Sequence, residues 1–383
     1  MTARLNPPAA ARMRDVLQDH IERGRIPGAV AMVAIGGQTE FFAALGKQDP
    51  QSGTAMQPDS IFRIYSMTKP IVSLAALMLV EQGRLQVVDP VAKYLPVFAG
   101  QKVAVQEGGK LQLVPVRREA TVQDLLRHTA GFSYEFLGDG PVQMQYREVD
   151  IAARDRSNAE FCAVLARIPL AHQPGSCWHY SRATDVLGAL LEVVSGQPLG
   201  VLLQETIFGP LGMKDTGFAV PPSQQSRMAE PFAQDPDTGK DVVMMDGRVV
   251  PRFESGGGGL LSSAADYARF LQLMRNRGTL DGARLVSRKT VEWMTADHLG
   301  SIPGDGDMLI PGHGFGLGFA VRTHAGLAPQ AGSVGTYFWT GIGGTSFFVD
   351  PAEDLFAMLL TQAPGQRIFF RNLFRQLVYG ALD

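Results

Sequence analysis

The sequence predicts a mixed α/β protein of the α+β type: an antiparallel sheet flanked by helices, with a mainly helical region beside it. Two observations carry that reading. Short apolar runs of strand length, bounded by glycine and proline, cluster at both ends of the chain, whereas the middle carries longer helical patterns. Strands at both ends with helices between them suggest one sheet assembled from the two termini around a helical insertion. The expected division is an α/β unit from residues 1–88 and 225–383 and a helical unit from 89–224.

In chain order, residues from about Ala9 to Gly24 read as an amphipathic helix. The runs Ala29–Ile35 and Phe41–Leu45, split by Gly36-Gly37, give a β-hairpin signal. Ile71–Val80 is apolar nearly all round, as a helix enclosed by protein should be. Pro70 places the start of that helix within a residue or two of Ser66, because proline is tolerated only near a helix start. Asp89-Pro90, Leu95-Pro96 and a polar stretch near Gly108-Gly109 read as irregular. Thr121 to about Gly212 is mostly helical, with loops at 131–140 and at Pro174-Gly175, and 221–259 is loop-like. Ser262-Ser263 followed by Asp266 predicts a capped helix over Tyr267–Arg277. Strands are expected at Gly316–Val321, Ser333–Trp339, Ser346–Val349 and Leu355–Thr361, before a closing helix from about Ile368 to Tyr379.

The chemistry is concentrated in Ser66-Met67-Thr68-Lys69. Residues three apart on a helix share a face, so the Lys69 amine lies within reach of the Ser66 hydroxyl. A serine hydroxyl needs a base to take its proton, and a lysine serves only when neutral. Burial and the positive end of the helix dipole both disfavour the ammonium form. The same four-residue pattern on an exposed helix is two solvated side chains; here the lysine sits in an apolar context.

A serine–lysine pair needs a second proton-handling group for the leaving group. Tyr180, in Cys177-Trp178-His179-Tyr180-Ser181, is the candidate, with a cationic lysine nearby to bring its phenolate within range. By itself it reads equally as a half-buried tyrosine with a bonded hydroxyl. An oxyanion hole needs two convergent N–H groups. The Ser66 amide can be one, and Trp339-Thr340-Gly341-Ile342-Gly343-Gly344 is a source of the other, although these glycines also suit a strand-to-turn junction.

The remaining composition mostly excludes. A net charge of −2 without basic or acidic blocks points to neither nucleic acid nor a membrane surface. Two cysteines, Cys162 and Cys177, make no disulfide framework and read as reduced thiols. The polar, proline-broken start Met1–Pro8 lacks the apolar core of a signal peptide, so a cytoplasmic location is expected. Histidines 128, 172, 179, 298, 313 and 324 show no ligand spacing, so no metal and no cofactor is expected. Gly-x-Ser-x-Gly is missing, and Ser255-Gly256-Gly257-Gly258-Gly259 reads as a backbone turn leading into a capped helix, not a phosphate loop.

Taken together, Ser66-x-x-Lys69, Tyr180 and Trp339-Thr340-Gly341 resemble the three motifs of the serine hydrolase superfamily of class C β-lactamases and DD-peptidases. Phe62-Arg63-Ile64, Asp89–Pro96, Leu125–Gly131, Pro210–Met213 and the Gly256–Asp266 turn are similar to family stretches in the same order. The resemblance implies the antiparallel sheet with a helical domain and a site between them. It also implies an acyl-enzyme on Ser66, proton transfer by Lys69 and Tyr180, and an oxyanion held by the amides of Ser66 and Ile342.

Two departures bear on the substrate. Trp339 stands where a β-lactamase has lysine, and an indole cannot supply that charge to a substrate carboxylate. Tyr180-Ser181-Arg182 lacks the asparagine of the second motif. Both features resemble the family VIII carboxylesterases, which implies hydrolysis of short-chain carboxylic esters, with Trp339, Gly341 and Tyr134 at the substrate. The rivals are a β-lactamase or peptidase acting on amides, an acyltransferase, and a catalytically dead binding protein. The expected partner is a small-molecule ester.

Overall fold

A computed structural model describes residues 4–108, 110–304 and 308–383. Residues 1–3 of the polar N-terminus and Gly109 of the predicted irregular stretch lie outside the described residues. The strands are β1 (Gly28–Ile35), β2 (Gln38–Asp49), β3 (Thr54–Ala55), β4 (Ile61–Arg63), β5 (Lys102–Glu107), β6 (Lys110–Pro115), β7 (Leu261–Ser263), β8 (Thr279–Leu280), β9 (Ala283–Arg284), β10 (His313–Phe315), β11 (Ala320–Arg322), β12 (Tyr337–Thr340), β13 (Ser346–Asp350) and β14 (Leu355–Leu360). The helices are α1 (Pro7–Glu22), α2 (Thr68–Glu81), α3 (Val91–Tyr94), α4 (Val122–Leu126), α5 (Pro141–Glu148), α6 (Asn158–Leu165), α7 (Ala183–Ser195), α8 (Leu199–Leu203), α9 (Gly209–Leu211), α10 (Ala264–Arg275), α11 (Arg288–Met294) and α12 (Arg367–Tyr379).

The main sheet runs β10-β11-β12-β13-β14-β1-β2-β3, so its centre joins the last strand to the first. Val30 faces Leu360 and Ile35 faces Leu355 across that antiparallel seam. The sheet is covered on both faces, which is why β14 is apolar at every position instead of alternating. Phe356, Met358 and Leu360 point into the larger core with α2, α7 and α10. Leu355, Ala357 and Leu359 point into a second core under α1 and α12. Twelve residues of α2, from Thr68 to Leu79, are buried, as its all-round apolar sequence requires.

The hairpin, the terminal sheet and the closing helix lie where the sequence puts them; four segments differ. The predicted strand Gly316–Val321 is mostly the turn between β10 and β11, with only Ala320 and Val321 in a strand, because Gly318 takes φ +101° and packs directly on Ser73, where a Cβ would lie 2.6 Å from its hydroxyl. The predicted strand Ser333–Trp339 begins only at Tyr337; Ser333 and Thr336 instead form a turn pinned by the Asp350 carboxylate. The stretch near Gly108 is the turn of a β5–β6 hairpin, whose alternating Val103, Val105, Leu111 and Leu113 were the available signal. The capped helix begins at Ala264, because Ser263 itself is the N-cap and accepts from the Asp266 amide.

Neither Cys162 nor Cys177 forms a disulfide. Among the described residues no single helix is long and apolar enough to cross a membrane. One bent pair, Ala183–Ser195 with Leu199–Leu211, has the composition but turns by 78°, and its first arm is the largely buried α7.

Phe356 is fully buried on the central strand. Phe356→Ala should cost about 3–5 kcal/mol through lost transfer energy and the cavity left behind. The measurement is a lowered urea midpoint with the slope unchanged; an unshifted midpoint would mean the two-faced core does not carry the fold.

Candidate active site

Ser66 lies in a 3-10 turn, Tyr65–Met67, that feeds directly into α2. Tyr65 holds φ at +44°, a conformation that bulky residues rarely adopt. It is fixed from both sides: its hydroxyl accepts from the Met245 amide at 3.0 Å, and Gly343 lies so close that a Cβ there would meet the Tyr65 ring at 2.8 Å. The same close approach explains Gly341, whose Cβ would lie 2.4 Å from the Ile64 carbonyl. The glycines after Trp339 therefore let the 341–344 turn sit against the Ser66 turn. Gly341 donates to the Thr345 carbonyl at 2.8 Å and Gly344 to the Gly341 carbonyl at 3.1 Å, which sets the frame of the intervening Ile342 amide. Ser66, Gly341 and Ile342 line one cavity.

Lys69 is 0% exposed. Its Nζ lies 3.1 Å from Ser66 Oγ, 2.9 Å from the Tyr134 hydroxyl and 2.6 Å from the Gly257 carbonyl. All three neighbours are neutral, and among the described residues no carboxylate touches the amine. Burial therefore dominates and pushes Lys69 down to about 7; Asp185 opposes the shift and Arg182 adds to it. A neutral amine has two N–H bonds and one lone pair. It can donate to Gly257 and Tyr134 while accepting the Ser66 proton, so the shell has a partner for each function.

Tyr180 donates to Ser66 Oγ at 2.6 Å, and the indole Nε1–H of Trp339 donates to the Tyr180 oxygen at 3.4 Å. The Tyr134 hydroxyl also bonds that phenol. The sequence reading had a cationic lysine drawing Tyr180 toward phenolate. Instead burial pushes the phenol well above its ordinary value, and the hydrogen bonds offset this only in part. Lys69 is suited to take a proton and Tyr180 to hold one. Tyr134 does more than line a pocket, since it links the two.

Sequence reasoning missed the support behind Lys69. Asp185, fully buried in the first turn of α7, accepts from Ser255 Oγ at 2.5 Å and from the Gly257 amide at 2.9 Å. That clamp holds the Gly257 carbonyl against Lys69. The glycine run is required here and is more than a turn into a helix: a Cβ on Gly256 would lie 2.6 Å from the Thr184 carbonyl, and one on Gly257 2.8 Å from the Asp185 carboxylate. Arg182 closes the network, pairing with Glu135 at 2.6 Å and with Asp185 at 3.4 Å. A glycine run with a carboxylate five residues after Tyr180 was the available signal. His128 is buried behind Tyr180, with ring centroids 5.0 Å apart, and burial holds it well below the ordinary imidazole value. It faces Ser181 Oγ at 3.2 Å and does not reach Ser66's proton network. Among the described residues no group of three or more His, Cys, Asp or Glu is arranged to hold a metal.

The cavity in front of Ser66 has a volume of about 590 Å³. Tyr134, Phe136, Tyr180 and Trp339 form an aromatic wall: Tyr134 stacks on Phe136 at 4.8 Å, and Tyr180 meets Trp339 at 5.2 Å.

The family model described as Beta-lactamase matches residues 13–379. The chain belongs to the β-lactamase family. Its resemblance to the esterase branch is carried by Esterase EstB of Burkholderia gladioli, 35% identical over 92% of this chain and 90% of the relative. The D-alanyl-D-alanine-carboxypeptidase/endopeptidase AmpH of Escherichia coli K12 is 28% identical over 96% of this chain and 87% of its own. Among solved structures, EstCE1, described as a hydrolase with promiscuous acyltransferase activity, superposes with a TM-score of 0.82 at 28% identity, covering 97% of this chain and 98% of that one. Penicillin-binding-protein homologues share the fold, one from Caulobacter crescentus with a TM-score of 0.70 at 22% identity.

If the neutral amine activates Ser66, the rate of Ser66 acylation by an activated acyl donor should fall tenfold per pH unit below about 7, as Lys69 gains its proton. Asp185→Asn removes the charge that favours the ammonium, so this acidic limb should move to lower pH while the plateau rate drops. A pH–rate profile checks both; an unmoved limb would separate Asp185 from Lys69.

Proposed function

We propose that the protein is a serine carboxylesterase that cleaves carboxylic esters through an acyl-enzyme on Ser66. The observation that carries this is the neutral-capable Lys69 amine on one side of Ser66 Oγ and the Tyr180 phenol on the other, opening on an aromatic cavity. Lys69 takes the Ser66 proton as Oγ attacks the ester carbonyl, and the amides of Ser66 and Ile342 receive the developing oxyanion. The proton passes through the Lys69–Tyr180 network to the departing alkoxide, leaving the acyl group on Ser66. A water then attacks the acyl-enzyme, giving its proton to the same network, which returns it to Ser66 Oγ as the acyl–oxygen bond breaks and the acid leaves.

Trp339 supports esters over β-lactams. It fills the place where the β-lactamases carry the lysine of their third motif, and its N–H is spent on Tyr180, leaving no cation there for a lactam carboxylate. Gly341 and Tyr134 flank the reacting carbonyl, with short acyl groups seated beside Trp339. The printed names of Esterase EstB and EstCE1 agree with this reading. Amide hydrolysis, as the name of AmpH suggests, and acyl transfer to an alcohol in place of water are the rival outcomes.

The test sets p-nitrophenyl acetate and butyrate beside a chromogenic cephalosporin. Fast ester cleavage with little cephalosporin turnover is expected, and Ser66→Ala should lower ester turnover by at least about 10³-fold. A cephalosporin turned over faster than either ester would overturn the role given to Trp339. Tyr180→Phe removes the proton donor but keeps the ring, so kcat should fall far more than KM rises.

A further inference from the structure

The cavity does not end at the aromatic wall. Successive strand residues point to opposite faces, yet Trp339 and its neighbour Phe338 both line it. The cavity therefore draws on both faces of the β12–β13 pair, and one lobe of it lies against α12. Arg367, Arg371 and Arg375, spaced four apart on one stripe of α12, line that lobe.

Among the described residues no carboxylate lies within ion-pairing distance of any of these three cations, in contrast to Arg227, which pairs with Asp59 and Asp215. Arg367 donates only to the Pro364 carbonyl, at 2.7 Å. Arg375, 6% exposed, donates to Gln330 Oε1 at 2.9 Å and lies over the Phe338 ring at 4.4 Å. Arg371 has no hydrogen-bond partner among the described residues. Asp350, whose charge Arg375 feels, is committed elsewhere, accepting from the Tyr379 hydroxyl at 2.7 Å, Thr336 Oγ1 at 3.0 Å and the Ser333 amide at 3.1 Å. Burial and the neighbouring guanidiniums Arg322 and Arg371 push Arg375 down to about 10, with Tyr379 and Asp350 opposing. Burial and Arg367 likewise lower Arg371.

Arg375 is buried and Arg367 and Arg371 are half-buried, and arginine is rarely buried unless paired. A row of unneutralised guanidiniums weakens the fold by mutual repulsion, and such a cost is characteristic of a site built for a ligand. The guanidinium fork matches a carboxylate through two parallel hydrogen bonds.

We propose that this arginine-lined lobe binds a carboxylate at the distal end of the substrate, so that the preferred esters are half-esters of dicarboxylic acids or esters of carboxyalkyl alcohols. The inference rests on the esterase reading for its reacting end only. The anion sits at the arginine row, and the aromatic residues that line the same cavity accommodate the connecting chain.

Two substrate series test it, each in wild type, Arg371→Gln, Arg371→Lys and Arg367→Gln. One places the carboxylate on the acyl side, comparing p-nitrophenyl half-esters of succinic to suberic acid with p-nitrophenyl alkanoates of equal length. The other places it on the alcohol side, comparing ω-acetoxyalkanoic acids with their primary amides. In one series the kcat/KM ratio of anionic to neutral ester should exceed tenfold at an optimal chain length. That ratio should fall at least tenfold in Arg371→Gln, fall in Arg367→Gln, and be partly restored in Arg371→Lys. A ratio at or below one in both series, or one indifferent to Arg371 and Arg367, would overturn the proposal. Calorimetric binding of the acetoxy acids to Ser66→Ala, with and without Arg371→Gln, decides the lobe independently of turnover. Tenfold weaker binding without Arg371 supports it even if no ester is cleaved and the esterase reading fails, whereas equal binding rejects it.

Discussion

A lysine amine sealed from water without a carboxylate beside it is the constraint on which the rest of this site depends. Placing an ammonium among a hydroxyl, a phenol and a peptide carbonyl costs free energy that those neutral groups do not return. The structure meets that cost by letting the proton go near neutral pH. The resulting lone pair faces Ser66 Oγ. The buried helix α2 is the means: it is apolar on every side, so Lys69 has no route to solvent.

Each neighbouring feature follows from holding that amine in place. Gly257 presents its carbonyl because Asp185 grips its amide, and Asp185 is itself balanced by Arg182, which Glu135 pairs with in turn. Tyr134 and Tyr180 set their rings 5.2 and 4.5 Å from the amine and their hydroxyls into its network. Trp339 completes the arrangement from the sheet side. In this position a lysine would put a second cation against the Tyr180 phenol; the indole donates one N–H and otherwise contributes apolar surface. The exchange changes what the cavity can recognise near Ser66 while leaving the proton network neutral. The arginine row of α12 lies farther along the same cavity.

Much of this was legible in the sequence because it is local. The Ser66–Lys69 spacing, the all-round apolar run after it and the glycine-split hairpin at residues 28–46 each state their geometry within a few residues. The sheet centre was legible too, since Leu355–Leu360 is covered on both faces and reads as an unbroken apolar run. What stayed hidden depends on contacts between distant segments. Gly318 breaks a strand pattern because it packs on Ser73, 245 positions earlier in the chain. Asp185 and Gly257 are 72 residues apart, and neither carries a motif of its own. The phenol of Tyr180 is pushed up, opposite to the sequence reading, because its own burial outweighs its hydrogen bonds, and that burial is a property of the assembled core. Tyr134, placed by sequence only as a lining residue, becomes part of the proton network through one hydroxyl contact.

The most direct test of the account is the protonation state of Lys69 itself. Lysine labelled with ¹³C at Cε, with Lys69→Met used to assign the signal, allows its titration to be followed by NMR in the resting enzyme. An apparent pKa close to 7 is the predicted result. A value near the ordinary lysine range, about 10.4, would mean that the amine is an ammonium at working pH and that the proton of Ser66 must be taken by another group.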